Sequence, residues 1–302
     1  MRTCSVLFCL FFLCNTCFAQ TSANSTREEH VLNVGSRKQL FIDNRFIESS
    51  EGIQLTMNPP QRDGRVMIQA DQPWEESRSI GIYSSVIEDN GRIRIWYGLR
   101  RPTPNAEYHH ELRVCYAESE DGLHLTEPII NLHEIDGSTS NNVVMPGPVG
   151  GGSVWIDERA PAEHRYKSQA KYYLGKNHLR LSSSADGLRW STLGKMDPGT
   201  RDCDTQSIVF WDPRYDRYVM YTRLWIRPGT ETARYRTVRR LESDELMQWD
   251  NESVVMVADE VDLATHTTPT DQPPMDYYGA YVSRYDEAEN VYIMFSEAFW
   301  HW

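Results

Sequence analysis

Short apolar strands that end in an aspartate recur four times along the chain. The first strand of each repeat is predicted at residues 85–89, 153–157, 207–212 and 281–286. A short polar turn and a second strand of alternating β-branched and aromatic residues follow each of them. The second strands are predicted at residues 93–97, 166–170, 218–221 and 291–295. Such alternation, bounded by Asp, Asn, Gly and Pro, indicates antiparallel hairpins and an almost entirely β protein.

A Ser-x-Asp-type turn forms the third part of the repeat. It occurs at residues 119–123 and 184–190, with a looser copy at 242–249. The glycine of Asp-Gly provides positive φ, and the aspartate side chain accepts hydrogen bonds from the turn backbone. The turn aspartate follows the strand-ending aspartate by 32, 29 and 32 residues in successive repeats. The order of the parts is therefore kept from one repeat to the next.

Four short strands per repeat match the blade of a β-propeller. The strand-ending aspartate recurs after 68, 55 and 74 residues, and full repeats cover residues 77–128, 141–195 and 205–256. A β-sandwich also contains short strands and Asp-Gly turns, but it does not require both motifs to repeat in order. The sequence therefore predicts a propeller, with residues 31–302 as one domain because no linker interrupts them.

The fourth repeat begins near Tyr278 and stops after its predicted second strand, at Trp302. A protein seldom ends on an apolar strand that needs a neighbour. Residues 40–47 are also predicted as a strand, outside any repeat, and an N-terminal strand often completes the last blade of a closed propeller. We therefore expect the ring to be incomplete at the C-terminus of this chain, with one or two blades missing.

The N-terminus has the features of a signal peptide over residues 1–19. Arg2 provides the positive charge, residues 6–13 form a short apolar run, and Ala19 is a small residue suited to cleavage. The run is too short for a transmembrane helix of about 20 residues. A polar lead-in follows at residues 20–30. The sequence predicts an exported protein, secreted or periplasmic, with no membrane insertion beyond the signal peptide.

Six cysteines are present, and four of them lie in the predicted signal peptide. A lipoprotein anchored at Cys14 or Cys17 is the disfavoured alternative, because a small residue is not found where lipidation needs one. Cys115 and Cys203 remain in the mature chain, and a disulfide or two buried thiols both fit an exported protein. No Cys/His cluster has zinc spacing, so no metal or other cofactor is expected.

The chain is acidic, with 31 Lys and Arg against 43 Asp and Glu, a net charge of −12. Cleavage of the signal peptide removes only Arg2, so 30 basic and 43 acidic residues leave a net charge of −13. Phosphate backbones and anionic membrane surfaces both favour basic partners. The charge argues against nucleic acid as a partner, and the sequence makes no prediction of oligomeric state.

Several repeat motifs resemble those of five-bladed carbohydrate-cleaving propellers. The motifs are residues 184–190, 210–213 and 218–221. They resemble glycoside hydrolase families 32, 43 and 68, which include invertases, fructanases and arabinanases. Residues 40–47 and 73–75 look like an uncharacterised secreted branch of family 32. The resemblance covers residues 40–302 and implies a five-bladed ring with carboxylates at a central funnel; its motifs specify the fold better than the activity.

Candidate carboxylates are sought just before the innermost strands and at strand ends near the funnel. Asp204 is the first candidate, since it begins a strand beside polar residues, with a strand-start cap as its alternative role. Glu75 and Glu297 complete the predicted catalytic set. Their alternatives are a solvated loop charge and a salt bridge, respectively. Arg201-Asp202 resembles the family's Arg-Asp-Pro, but Cys203 replaces the proline.

Five residues are predicted to contact the sugar: Arg78, Arg223, Gln206, Tyr278 and His109. The second repeat departs from the family's three-carboxylate pattern, because its innermost strand enters through a glycine run at residues 147–153. The sequence predicts an exported glycoside hydrolase that cleaves a polysaccharide or oligosaccharide with paired carboxylates. The alternative is a non-catalytic propeller that binds carbohydrate or a protein.

Overall fold

The structure is a computed structural model of the whole chain. It describes residues 33–302, apart from the following positions: 37, 57, 63, 77, 103–109, 148, 173–177, 200–202, 204, 227–233, 265–274, 289 and 302. The predicted signal peptide and lead-in lie outside the described residues. No helix in the described ranges is long and apolar enough to cross a membrane.

The described residues form fourteen antiparallel strands in four sheets. The first sheet contains β1 (Ser79–Asp89), β2 (Arg92–Pro102), β3 (His110–Ser119) and β4 (Val143–Met145). The second contains β5 (Val149–Ile156), β6 (Tyr166–Tyr172), β7 (His178–Ser184) and β8 (Ser191–Met196). The third contains β9 (Ile208–Asp212), β10 (Arg217–Ile226), β11 (Tyr235–Ser243) and β12 (Asp250–Met256). The fourth contains β13 (Met275–Arg284) and β14 (Tyr292–Trp300).

Helical structure in the described residues is limited to three short elements. They are 3-10 turns at Pro73–Glu75 and Ala162–His164 and the helix α1 (Glu260–Leu263). Each of the first three sheets has its strands in sequence order, as the repeat predicts for a blade. Strand β1 contacts β5, β5 contacts β9, and β9 contacts β13, so the sheets follow one another around a centre. The predicted all-β propeller is confirmed.

Apolar side chains fill the spaces between successive blades. Between the first two blades lie Trp96, Tyr116, Val144, Val154 and Tyr166. Between the second and third blades lie Trp155, Leu181, Met196, Val209, Met220 and Leu241. Val219 and Tyr221 of β10 pack against Val282 of β13 in the next interface. Because each blade buries one face on each neighbour, the innermost strands are held close to the centre of the ring.

The innermost strands surround the central axis of the ring. We name the two ends of this axis by the direction in which those strands run. Strands β1, β5, β9 and β13 begin at the entry end and finish at the exit end. A cavity of about 560 Å³ lies in the exit half, lined among others by Ser85, Trp155, Phe210 and Arg284. All four sheets therefore contribute to one central space.

Residues 40–47 do not form the predicted strand. They form bends and a turn, with Phe41 and Ile42 63% and 71% exposed. Asp43 Oδ1 accepts a 2.9 Å hydrogen bond from the backbone N–H of Arg45. Local bonding of this kind stabilises a turn in place of a sheet ladder.

The N-terminal segment nevertheless reaches the last sheet. Lys38 makes a parallel bridge with Ala288, in the turn between β13 and β14. Three complete blades and two strands of a fourth are described, so the total of five blades and the missing C-terminal blades stay predictions. Cys115 and Cys203 are both buried and free, which excludes a disulfide between them.

Candidate functional site

Glu297 lies beside the centre of the ring, on β14 opposite Gly279 of β13. A Cβ atom added to Gly279 would be 3.2 Å from Glu297 Oε2 and 3.7 Å from Thr205 Cβ. The glycine therefore leaves room for the carboxyl group of Glu297 and for the segment that enters β9. Glu297, Gln206, Tyr83 and Gly279 line one cavity of about 170 Å³.

Burial raises the pKa of Glu297 above the ordinary value for a glutamate. Burial disfavours the charged carboxylate, because the interior solvates charge less well than water. A carboxyl group that keeps its proton to higher pH is suited to donate that proton to a leaving group. The salt bridge considered for Glu297 from the sequence is absent from the ion pairs of the described residues.

Gln206 links the first two blades at this cavity. Its side-chain amide nitrogen donates to the backbone oxygen of Ser84 at 2.9 Å and to that of Gly152 at 3.0 Å. Both amide protons are engaged, so its side-chain oxygen is the atom left to accept a bond from a ligand. The glycine run of the second blade thus contributes the backbone oxygen of Gly152 to the site.

A cluster of guanidinium groups and aromatic rings lies at the entry end beside this cavity. We call it the arginine–aromatic cluster: Arg223, Arg234, Arg236, Trp225, Tyr278 and Phe299. The guanidinium carbon Cζ of Arg236 lies 4.4 Å from the ring centroid of Trp225 and 4.5 Å from that of Phe299. Arg223 lies over Trp225 and Tyr278 at 5.2 and 5.5 Å. These distances are those of cation–π contacts.

The register of three blade strands creates this cluster. Trp225 of β10 pairs with Arg236 of β11, beyond the point where β9 begins. On β13, Tyr278 has no partner of its own between Tyr277 and Gly279, which marks a β-bulge. The bulge places its ring against Phe299, with centroids 5.4 Å apart. The sequence-predicted contacts Arg223 and Tyr278 are therefore brought together.

Asp276 is fully buried beneath the cluster. It accepts hydrogen bonds from the backbone N–H of Arg236 at 2.9 Å and from its guanidinium at 3.3 Å. The ring nitrogen Nε2 of His301 lies 3.3 Å from the same oxygen, Oδ2. Asp276 thus holds the guanidinium of Arg236 in place under the rings.

Glu75 lies away from this site, in a buried network of the first blade. The hydroxyl of Tyr97 donates to Glu75 Oε1 at 2.9 Å, and the backbone N–H of Gln72 donates to Oε2 at 3.2 Å. Asn142 donates to the Tyr97 hydroxyl and accepts from the indole of Trp74. The solvated loop charge considered for Glu75 is wrong, since the residue is fully buried; its catalytic role stays a prediction.

Arg78 belongs to the same region as Glu75. Its guanidinium donates to the carbonyl of Trp74 at 2.7 Å and to Asp136 Oδ2 at 2.8 Å. The side chain is 2% exposed, so Arg78 is not a solvent-exposed surface charge. These contacts connect the 3-10 turn at Pro73–Glu75 to Asp136, in the loop between β3 and β4. The sugar-binding role of Arg78 stays a prediction.

Asp204 and His109 lie outside the described residues. The neighbours of Asp204 are described: Cys203 is buried, and Thr205 is buried against Gly279. Thr205 therefore lies at the Glu297 cavity. No group of three or more His, Cys, Asp or Glu in the described part of the chain is arranged to hold a metal ion.

The sequence reasoning missed Arg234, Arg236 and Phe299. Arg234 directly precedes β11, Arg236 lies on β11 and Phe299 lies on β14, more than 60 residues away. Arg223 and Tyr278 had been predicted to contact the sugar. It also missed Glu127, whose pKa is raised to about 7 by burial and by the charges of Glu75 and Asp71. No local motif marks these residues.

No protein-family model matches the chain. Two uncharacterized proteins of Mycobacterium tuberculosis, from strains CDC 1551 and H37Rv, are each 31% identical over 153 residues. The match covers 46% of this chain and 45% of each relative, so the chain spans less than half the length of the curated relatives it matches.

The fold is similar to that of solved carbohydrate-active propellers. The solved RGII complex of BT0996 aligns over 76% of this chain and 68% of its own length, with 14% identity and a TM-score of 0.50. The family 32 β-fructofuranosidase of Bombyx mori aligns over 68% of this chain and 40% of its own length, with 12% identity and a TM-score of 0.45. A β-1,2-mannobiose phosphorylase from Listeria innocua aligns over 74% of this chain and 74% of its own length, with 11% identity and a TM-score of 0.45. The order of the strands within each sheet and the contacts between successive innermost strands are those of a propeller.

Proposed function

We propose that the protein is a glycoside hydrolase whose general acid is Glu297. The observation that carries this proposal is the position of the Glu297 carboxyl group: it lies over Gly279, in a cavity at the ring centre, with a raised pKa. Cleavage of a glycosidic bond needs such a proton donor at the leaving oxygen.

Asp204 is the proposed second carboxylate. The support is its place in the sequence, directly before Thr205, which is buried against Gly279. In the proposed reaction Glu297 protonates the glycosidic oxygen while Asp204 either attacks the anomeric carbon or takes a proton from water. Gln206 positions the sugar by accepting a hydrogen bond through its side-chain oxygen.

The test is the release of reducing sugar from a panel of polysaccharides and oligosaccharides. Glu297→Gln removes the transferable proton but keeps the shape, and we expect at least a hundredfold loss of rate. Glu158→Gln is the matched control, since Glu158 lines the cavity at the exit end. Wild-type rates in Glu297→Gln would contradict the proposal.

A non-catalytic carbohydrate-binding propeller is the second candidate. It is favoured by one observation: Glu297 is the only carboxylate among the described residues that line the 170 Å³ cavity. The same panel separates the candidates. Binding of a glycan without product after long incubation supports the binder, and product release excludes it.

We also propose that the chain is exported after cleavage at Ala19. The support is the charged and apolar pattern of residues 1–19. Expression of the full chain in a bacterial host, followed by fractionation and mass spectrometry, should give an exported product that begins at Gln20. Retention in the cytoplasm with an intact N-terminus would contradict export.

A further inference from the structure

We propose that the arginine–aromatic cluster binds the negatively charged group of an acidic sugar. This inference rests on the proposed function, because it assigns a substrate class to the Glu297 site. The shared chemistry is an oxyanion carried on a sugar ring, as a carboxylate or as a sulfate ester.

The cluster concentrates positive charge in an acidic protein. Arg223, Arg234 and Arg236 converge on the ring of Trp225 at 5.2, 4.6 and 4.4 Å, whereas the whole chain has a net charge of −12. Like charges repel one another, so the positive potential between Arg234 and Arg236 favours a bound anion. Asp276 provides one negative charge, through its contact with Arg236.

Asp276 engages one edge of the Arg236 guanidinium. The carboxylate accepts from the backbone N–H of Arg236 and from Nη1. Within the described residues the buried Nε of Arg236 has no hydrogen-bond partner. Stacking against Trp225 and Phe299 fixes the plane of the guanidinium, and a fixed planar fork matches a carboxylate or sulfate better than a flexible ammonium group.

The aromatic members explain why the anion should be part of a sugar. Trp225, Tyr278 and Phe299 present flat apolar faces beside the charged groups, and such rings combine an apolar body with nearby polar contacts. A free inorganic anion would gain nothing from these faces. A sugar ring places C–H groups on the rings while its anionic substituent meets the arginines.

The cluster is placed next to the proposed bond cleavage. Glu297 and Phe299 lie on one face of β14, since they are two residues apart in a strand without a bulge. Two residues of strand correspond to roughly 6.7 Å. Tyr278 directly precedes Gly279, over which Glu297 lies. An acidic unit bound at the cluster is thus adjacent to the unit whose bond Glu297 would protonate.

The experiment is a binding titration by calorimetry with the full mature chain. The probes are oligosaccharides of galacturonate, glucuronate and mannuronate, their carboxyl-reduced counterparts, and sulfated and unsulfated galactose oligosaccharides. We expect one acidic probe to bind at least tenfold more tightly than its neutral counterpart, and its affinity to fall as salt is added. Preference for uronate or for sulfated probes identifies the source of the charge.

Arg234→Gln and Arg236→Gln should each weaken binding of that acidic probe about tenfold and leave the neutral probe unchanged. Arg159→Gln is the matched control, because Arg159 stacks on Trp211 at 3.8 Å at the exit end. Arg234 is exposed, so its replacement keeps the test valid if Arg236→Gln fails to fold.

Two results would overturn the inference: equal affinity for every acidic probe and its neutral counterpart, or unchanged acidic binding in both arginine variants. A third result would also overturn it: inorganic phosphate competes with the acidic probe for binding and also enables cleavage of a neutral probe. The cluster would then hold a free anion. Tight acidic binding without cleavage contradicts the proposed hydrolase alone, and cleavage restricted to neutral probes contradicts the acidic substrate alone.

Discussion

The hydroxyl of Tyr218 donates a 2.9 Å hydrogen bond to Asp157 Oδ2, which belongs to the preceding blade. Tyr218 begins the second strand of its repeat, and Asp157 follows the first strand of the repeat before it. The same bond joins Tyr166 to Asp89 and Tyr292 to Asp212. The strand-ending aspartates singled out as repeat structure therefore hold each blade to the next.

Replacement of Tyr218 by Phe should destabilise the ring by ~1–3 kcal/mol. The change removes a hydrogen bond to a buried carboxylate, which Lys167 contacts at 3.2 Å on its other side. Urea unfolding followed by tryptophan fluorescence measures the loss.

Tyr215→Phe is the control for this bond, because Tyr215 is exposed and should change stability little. An equal effect of the two substitutions would show that the tyrosine–aspartate bond does not stabilise the blades.

The blade repeat could be predicted because its signals are local. An aspartate at a strand end, a tyrosine at the next strand start and an Asp-Gly turn each act over a few residues. The same local reading failed at residues 40–47, where Asp43 turns the chain although the apolar pattern fits a strand.

The site was only partly predictable for a related reason. Glu75 lies in a 3-10 turn, and its burial depends on Tyr97 of β2; the position of Arg236 depends on a bulge at Tyr278 some 40 residues later. Long-range pairing decides which charges become buried. A single sequence marks the polar residues near strand ends, and the register of the strands selects among them.

Glu75→Gln should lower stability by ~1–3 kcal/mol and leave the rate of sugar release by the folded protein within a few fold of wild type. The amide replaces one acceptor oxygen with a donor, which then faces either the Tyr97 hydroxyl or the Gln72 N–H. Thermal unfolding and reducing-sugar release are measured on the same sample. A hundredfold loss of rate without a loss of stability would instead support the predicted catalytic role of Glu75.

Glu127 should make stability depend on pH. Burial together with Glu75 and Asp71 raises its pKa to about 7, whereas an unfolded glutamate titrates near its ordinary value of 4.5. The folded state therefore binds more protons between about pH 4.5 and 7, and the stabilisation from this group is lost as pH rises through 7.

Replacement of Glu127 by Gln removes that dependence. The free energy of unfolding of the variant should exceed that of wild type by ~1 kcal/mol at pH 8, with solvent screening of this partly exposed group taken into account. The difference should be smaller at pH 5. Denaturation curves at both pH values test this. Glu120→Gln is an exposed control; a parallel response in the two variants would contradict the assignment to Glu127.

The raised pKa of Glu297 predicts the sign of the pH dependence of catalysis. A general acid works only when protonated, so kcat/KM should fall as pH rises through the pKa of Glu297, above the 4.5 of an ordinary glutamate. Carbon-13 NMR of the glutamate carboxyls, with the Glu297→Gln variant used for assignment, measures that pKa directly. A carboxyl that titrates at or below 4.5 would contradict the acid role.

Gly279→Ala should impair the site while preserving the fold. The added Cβ would lie 3.2 Å from Glu297 Oε2, so the carboxyl must shift by a few tenths of an ångström from its place above the glycine. We expect a tenfold or greater loss of kcat with ~1 kcal/mol or less of lost stability, since a displaced catalytic group loses rate steeply with distance. Gly81→Ala is the control: its Cβ would meet only backbone of Gly98 at 3.5 Å in β2, an ordinary contact. If Gly279→Ala retained full kcat, the close approach of Glu297 to the β13 backbone would have no part in the reaction, and the assignment of Glu297 as the acid would lose its geometric basis.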